Sequence, residues 1–284
     1  MAFELWRSPN YGTQRKGTTF KELKSIFTNE ITVKYIFEPI YSCSKTDDST
    51  EVKAELRNRG FDVVGIRDEQ ELVVGYAEST QLEEGPVNNY LKNVEDDQYI
   101  PETAPVLNLF NKLASSSFIF IKVNDKVEGI ITRADINKPL VRIYIFGIIS
   151  LFEMHLNFWI NEMYKDECWI NILNKCRIKM AKKIFKLRKG NNVELTLLEC
   201  IQLCDKKEIL KSTYKFMKLI GLSNNKFDTL LENIEKIRNE LAHSQNSIIS
   251  NLKWKDFLET ISEAEEFLAK SEKEVQLTVF DNKI

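Results

Sequence analysis

Histidine is nearly absent from this chain. Of 284 residues only two are histidine, His155 and His243. No stretch gathers histidines or carboxylates at ligand spacing, so metal-assisted hydrolysis is disfavoured and no metal site is expected. Cysteine is sparse as well. Cys43, Cys168, Cys176, Cys200 and Cys204 are odd in number and contain no Cys-x-x-Cys pair, which points to free thiols in a reducing cytosol. Cys200 and Cys204 share a helical face, but two thiols without nearby histidines do not make a zinc site. A net positive charge is also missing: 40 Lys and Arg against 42 Asp and Glu leave −2, so any nucleic-acid site must be local. The first residues, MAFELWRSPNYGTQRKG, hold no uninterrupted apolar core, and the expectation is a protein without a secretion signal. The most apolar stretch, 140–160, is long enough to span a bilayer. It carries Arg142, Glu153, His155 and Asn157, however, and an intramembrane carboxylate and histidine would be costly. A buried bundle helix is expected, in a cytoplasmic protein with no membrane partner, with Glu153 and His155 as a satisfied buried pair.

What is present divides along the chain. The length suggests two domains, and 43% hydrophobic with 29% charged residues is an ordinary globular composition. Residues 1–29 read as an irregular leader over 1–17, then a short helix opened by a Thr19–Glu22 capping box with Phe20, Leu23, Ile26 and Phe27 as its apolar stripe.

An internal duplication follows. The first copy runs helix 46–59, stopped at Gly60, then strands 61–66 and 71–77 around a polar turn. The second runs helix 103–115, then strands 117–123 and 127–132. Gly75 and Gly129 are equivalent, 54 residues apart, and an extended segment precedes each helix, 33–40 and 98–100. Two such α-β-β units would pack face to face to bury sheets that neither covers alone. Residues 30–138 therefore resemble a tandem CBS (cystathionine-β-synthase) domain pair. The stretch Gly129-Ile-Ile-Thr132-Arg-Ala-Asp135 matches that family's Gly-h-h-[Ser/Thr]-x-x-Asp ending. The resemblance implies that Thr132 contacts phosphate and Asp135 accepts hydrogen bonds from ribose hydroxyls of an adenosine-containing regulatory ligand. A carboxylate can take both hydroxyls, and a helix opening just beyond favours anions. In the first copy Glu78 and Gln81 replace those residues, so one ligand site per chain is expected. A purely structural, dimerising pair stays open.

From 168 to 193 no acidic residue occurs, while Lys175, Arg177, Lys179, Lys182, Lys183, Lys186, Arg188 and Lys189 supply eight positive charges. Lys175, Lys179, Lys182 and Lys186 form one helical stripe at 4-3-4 spacing. Two readings stand: Lys175, Lys179, Lys182, Lys183 and Lys186 as a phosphate-backbone track for RNA, or a solvated face balanced by acidic segments such as 259–274. The rest of 139–284 reads as an all-α bundle: a long helix from Pro139 to about 163, a turn at 190–192, helices over 195–203, 206–219 and 226–242, and a last one over 254–273. The fold class expected is thus α+β multidomain, an α/β tandem pair followed by a helical bundle, with the helix after Pro139 coupling the two.

One helix carries the sharpest chemistry. With Ile234 at zero on a helical wheel, Ile237 and Leu241 fall within about 60°, while Asn239 and His243 fall about 140° and 180° away. His243 can move protons around neutrality, Arg238 can hold a phosphate or stabilise a phosphorane, and Asn239 can fix the imidazole or bind substrate. The chemistry most available to an arginine and a histidine without metal is attack of an RNA 2′-hydroxyl on its own phosphate. One histidine does not easily serve as both base and acid; a two-fold dimer would supply two. Arg238-Asn-Glu-Leu-Ala-His243, near the end of an amphipathic helix in an α bundle, resembles the Arg-x4–6-His signature of HEPN (higher eukaryotes and prokaryotes nucleotide-binding) domains. That resemblance implies a metal-independent endoribonuclease acting as a homodimer with a composite site, in a toxin–antitoxin or phage-defence setting with an antitoxin as a further partner. Members that only bind nucleotides or scaffold keep a non-catalytic reading open.

Overall fold

The computed structural model describes residues 6–7, 14–15, 18–190, 195–243 and 247–281. Most of the expected leader 1–17, and Asn191 and Asn192 of the expected turn, lie outside them. The chain divides into two compact units, Ile26–Val141 and Met1–Ser25 with Arg142–Ile284.

The chain opens with the short antiparallel pair β1 (Trp6–Arg7) and β2 (Gln14–Arg15), then α1 (Phe20–Asn29). Thr19 and Glu22 cap α1 reciprocally: Glu22 N–H donates to Thr19 Oγ1 at 3.0 Å, and Thr19 N–H to Glu22 Oε2 at 2.9 Å.

The unit Ile26–Val141 holds β3 (Glu38–Pro39), β4 (Ser42–Ser44), α2 (Ser49–Arg59), β5 (Val63–Arg67), β6 (Val73–Glu78), β7 (Tyr99–Pro101), α3 (Asn108–Ser115), β8 (Phe118–Val123) and β9 (Lys126–Thr132). Its sheets run β4-β5-β6 and β3-β9-β8-β7. Each contains a parallel pair and then an antiparallel pair, β4/β5/β6 in one and β7/β8/β9 in the other. The repeat is therefore structural as well as sequential, but the two copies exchange their leading segments. Glu38, ahead of the first copy, pairs with Ile130 on β9 of the second. Lys92, ahead of the second copy, bridges Tyr76 on β6 of the first. The 54-residue offset that carries Gly75 onto Gly129 also carries Glu38 onto Lys92 and Tyr76 onto Ile130.

The exchange explains the two glycines. A Cβ at Gly75 would run into the Lys92 carbonyl, and one at Gly129 into the Phe37 ring and the Glu38 carbonyl, so each glycine lets an incoming segment lie against its strand. The inner faces of the sheets share one aromatic cluster, with the Tyr76 ring 5.1 Å from Phe120 and 5.6 Å from Phe118. Each fully buried aromatic adds roughly 1.5–3 kcal/mol of apolar burial.

Helix starts differ from the sequence expectation. α2 begins at Ser49, not 46, because Asp48 caps it, accepting from Thr50 N–H at 2.9 Å and Glu51 N–H at 3.1 Å. α3 begins at Asn108, not 103, because Pro105 bridges Thr32 and Val106 N–H donates to the Ile31 carbonyl, which holds that stretch out of a helix. Gly60 stops α2 as expected, in the left-handed region at φ 69°.

The other unit is helical: α4 (Pro139–Met163), α5 (Lys175–Lys189), α6 (Leu203–Lys211), α7 (Tyr214–Ile220), α8 (Asn224–Ala242) and α9 (Trp254–Asp281), joined by 3-10 turns at Lys165–Asn171 and Leu198–Cys200. The helix expected over 195–203 is that second turn, and the single helix expected over 206–219 is two. The break falls at Ser212–Thr213, where Thr213 Oγ1 donates to the Ile209 carbonyl at 2.9 Å and meets Tyr164 Oη at 2.6 Å. α9 also runs past 273, to Asp281.

α4 is long and apolar enough to cross a membrane by length and composition, and 61% of its most apolar window is buried within the protein. Tyr144, Ile148, Phe152, Leu156, Trp159 and Ile160 on it are almost wholly buried. Phe152 packs on Phe267 with ring centroids 4.4 Å apart, and Phe216 on Phe227 at 5.7 Å. α1 joins this unit through Leu23, which lies against Gly147, and through the Lys24–Glu265 ion pair at 2.6 Å.

The expectation that Glu153 and His155 satisfy each other is corrected. Two residues apart on a helix they project about 200° from one another, and each has its own partners. Ser271 Oγ accepts from Trp159 Nε1 at 2.7 Å and lies 2.7 Å from His155 Nδ1. Ser271 Oγ, with one hydrogen and two lone pairs, can serve both rings at once. Burial pushes the His155 pKa down to about 3, so the imidazole is neutral and structural.

Candidate functional site

α8 presents the Arg238 cluster. Ser223 caps its start, accepting from Lys226 N–H at 3.3 Å, and Phe227, Leu230, Leu231, Ile234 and Ile237 face the core. The opposite side then faces solvent: Asn239 and His243 are exposed, while Arg238, on the apolar side of the helix, is half-buried. His243 forms the C-cap, its backbone N–H donating to the Asn239 carbonyl at 3.0 Å.

The guanidinium of Arg238 is held from below. Its Nη1 donates to Glu153 Oε1 on α4 at 3.1 Å, while Nη2 lies 3.5 Å from Asn239 Oδ1 and 3.8 Å from Glu235. The second oxygen of Glu153, Oε2, lies 3.5 Å from Nζ of Lys206 on α6, whose side chain is only 4% exposed. Burial lowers the Lys206 pKa, opposed by the Glu153 charge and reinforced by that of Arg238. Three helices thus meet in a Lys206–Glu153–Arg238 chain of alternating charge, under the face that carries Asn239 and His243. Glu240, inside the same motif, is buried and accepts from Asn251 Nδ2, tying the segment after His243 back to α8.

Sequence reasoning singled out Glu153 but missed Lys206 and Glu240. Lys206 left no signal, because a lysine on an amphipathic helix reads as solvent-facing. Glu240 left only a faint one: it falls about 60° from Ile237 on the wheel, at the edge of the apolar face.

α5 carries the basic stripe. Ile178 and Ala181 are buried, while Lys175, Lys179, Lys182, Lys183 and Lys186 are all exposed. Arg177 is used structurally, donating from Nε to Asp205 at 2.6 Å and from Nη2 to Gln202 at 2.9 Å at the start of α6. Lys189 donates to the Leu195 carbonyl at 2.8 Å. The five exposed lysines form a surface to which a polyanion has access, with the apolar Met180 and Leu187 exposed beside them.

In the other unit Thr132 and Asp135 close a capping box at the end of β9. Asp135 Oδ2 accepts from Thr132 N–H at 2.7 Å and from Thr132 Oγ1 at 3.1 Å, and Ala134 N–H donates to Thr132 Oγ1 at 3.2 Å. Asp135 Oδ1 pairs with Lys138 Nζ at 2.8 Å, and Lys138 also reaches Glu38 at 2.5 Å. Both carboxylate oxygens of Asp135 are thus engaged within the chain. At the equivalent place in the first copy, Glu78 is paired with Lys92 at 2.6 Å. Among the described residues no group of three His, Cys, Asp or Glu side chains comes together as a metal site would need.

No family model matches the chain, and no curated protein does. Among solved structures the chain is similar to a putative acetoin utilization protein (AcuB) from Vibrio cholerae, at 15% identity and TM-score 0.36 over 42% of this chain and 96% of that one. It is also similar to the CBS domain of the bacterial CNNM/CorC family Mg2+ transporter in complex with ATP, at 15% identity and TM-score 0.34 over 41% and 91%. A third is CBSX2 in complex with AMP, at 12% identity and TM-score 0.34 over 39% and 97%. The likeness to CBS domains lies in the N-terminal part of the chain.

Proposed function

We propose that this protein is a metal-independent endoribonuclease of the HEPN type, cleaving single-stranded RNA in a homodimeric composite site and regulated by an adenine nucleotide at its CBS-like unit. The observation that carries the reading is the end of α8: an anchored guanidinium beside an exposed amide and an exposed imidazole, at the rim of a helical bundle. His243 moves the proton of the 2′-hydroxyl or of the leaving 5′-oxygen, Arg238 stabilises the developing phosphorane charge, and Asn239 positions substrate. A second chain contributes the second imidazole. Lys175, Lys179, Lys182, Lys183 and Lys186 gather RNA through its backbone, which gives affinity without sequence preference.

Support for the sensor is the reciprocal exchange of Glu38 and Lys92 between two α-β-β copies, together with the Thr132–Asp135 box at the end of the second. The ATP and AMP of two of the similar structures are taken over as the ligand class. The toxin or phage-defence setting, with an antitoxin partner, is what the HEPN resemblance implies; the cytoplasmic location without membrane rests on the unpaired cysteines and on the charged residues within the 140–160 stretch.

A second reading has an observation of its own. Because Arg238 already pairs with Glu153, the cluster would also suit a non-catalytic protein that binds phosphate or a partner. Purified protein is incubated with single-stranded RNA in excess EDTA, with and without adenine nucleotides, beside Arg238→Ala and His243→Ala. Cleavage by the wild type alone supports the ribonuclease; RNA left intact under every condition favours the scaffold.

A further inference from the structure

We infer that Glu153 is the positioning residue of Arg238 and that buried Lys206 in turn fixes Glu153. This assigns a role in the proposed site to two side chains far from it in sequence, and it rests on the ribonuclease reading for its catalytic part only. The geometry carries it. Glu153 divides its carboxylate between two cations, Oε1 to Arg238 at 3.1 Å and Oε2 to Lys206 at 3.5 Å. Lys206 has a 4% exposed side chain on α6 and is no candidate to touch substrate, whereas Arg238, 31% exposed on α8, can. A buried ammonium is costly unless paired, and its carboxylate partner is the one that holds Arg238.

A free arginine side chain samples many rotamers; here Nη1 is committed to the carboxylate, and Nη2 is left beside Asn239 on the exposed face. An arginine fixed in this way offers its remaining N–H groups to a phosphodiester oxygen in one orientation, the condition for transition-state rather than ground-state binding. Glu153 thus sets where the positive charge points, and Lys206 holds the Glu153 carboxylate in register.

The test uses the full chain. Side-chain nitrogen NMR of ¹⁵N-arginine protein reads the motion of Arg238 directly, with Arg238→Ala assigning its signal. The wild type should show a guanidinium with restricted rotation, and Glu153→Gln one that rotates faster, with only Asn239 and Glu235 left beside it. Glu153→Gln alone leaves Lys206 buried without a carboxylate and is expected to lower Tm, so the double variant Glu153→Gln/Lys206→Met separates folding from positioning. It should regain thermal stability, keep the faster-rotating Arg238, and cleave RNA with kcat down about 10²-fold and KM changed less than about twofold. A double variant with wild-type kcat and a wild-type Arg238 signal overturns the inference. If the wild type does not cleave RNA, the ribonuclease reading fails, and the NMR comparison still decides whether Glu153 orients Arg238.

Discussion

Arg238 and Glu153, 85 residues apart in the chain, meet at 3.1 Å, whereas His243, five residues beyond Arg238, stands exposed. Neighbours in one motif should therefore respond differently to truncation. Arg238→Ala removes a countercharge from a partly buried carboxylate and should cost about 1–3 kcal/mol in urea unfolding. Asn239→Ala and His243→Ala should stay within about 0.5 kcal/mol of wild type, so that any loss of activity in them is chemical.

Much of the architecture was legible in the sequence, for local reasons. The Thr19–Glu22 cap, the Gly60 stop and the apolar face of α8 are each written within a few residues. The equivalence of Gly75 and Gly129 was legible too. What lies on them was not: the crossing segments at Lys92 and Glu38 come from elsewhere in the chain, and nothing local announces an exchange. The Arg238 cluster shows the same boundary. Periodicity told which side of α8 Asn239 and His243 occupy. That α4 and α6 pass beneath, bringing Glu153 and Lys206, depends on helix packing, which a wheel does not contain.

The glycine exchange gives a stability test. Gly129→Ala places a methyl against the Phe37 ring and the Glu38 carbonyl and should destabilise by about 1–3 kcal/mol in urea unfolding. Gly190→Ala, with nothing within 4 Å, is the control and should change stability by less than about 1 kcal/mol.

His155 makes stability depend on pH. Its pKa is depressed to about 3 in the folded chain, below the ordinary 6.5. Above pH 6.5 the imidazole is neutral folded and unfolded, and its contribution is fully present. As pH falls from 6.5 towards 3, the unfolded chain takes up a proton that the folded one refuses, and stability drops by up to about 1.4 kcal/mol per pH unit. Chemical denaturation of His155→Gln between pH 7 and pH 4 should show a shallower decline than wild type. Parallel slopes would place the acid sensitivity elsewhere.

Under the proposed reading, the unit Ile26–Val141 should bind one adenine nucleotide per chain. Calorimetry with AMP and ATP should give a stoichiometry near one, lost in Asp135→Ala and unchanged in Glu78→Ala, because Glu78 is already engaged by Lys92. Two sites per chain, or binding indifferent to Asp135, would contradict the assignment.

The α5 stripe is tested by salt. Changing Lys175, Lys179, Lys182 and Lys186 to Gln should flatten the dependence of log K on log salt for single-stranded RNA by about 0.7 per lysine in contact. An unchanged slope would make the stripe a solvated face.

The chemistry at the end of α8 is read from the structure of the cut ends. Mass spectrometry of a defined RNA oligonucleotide cleaved in EDTA should find a 2′,3′-cyclic phosphate on one fragment and a 5′-hydroxyl on the other. The same oligonucleotide with 2′-O-methyl groups throughout should stay intact. Cleavage of the methylated strand, a 5′-phosphate at the cut, or a product that still forms with His243→Ala would contradict the account.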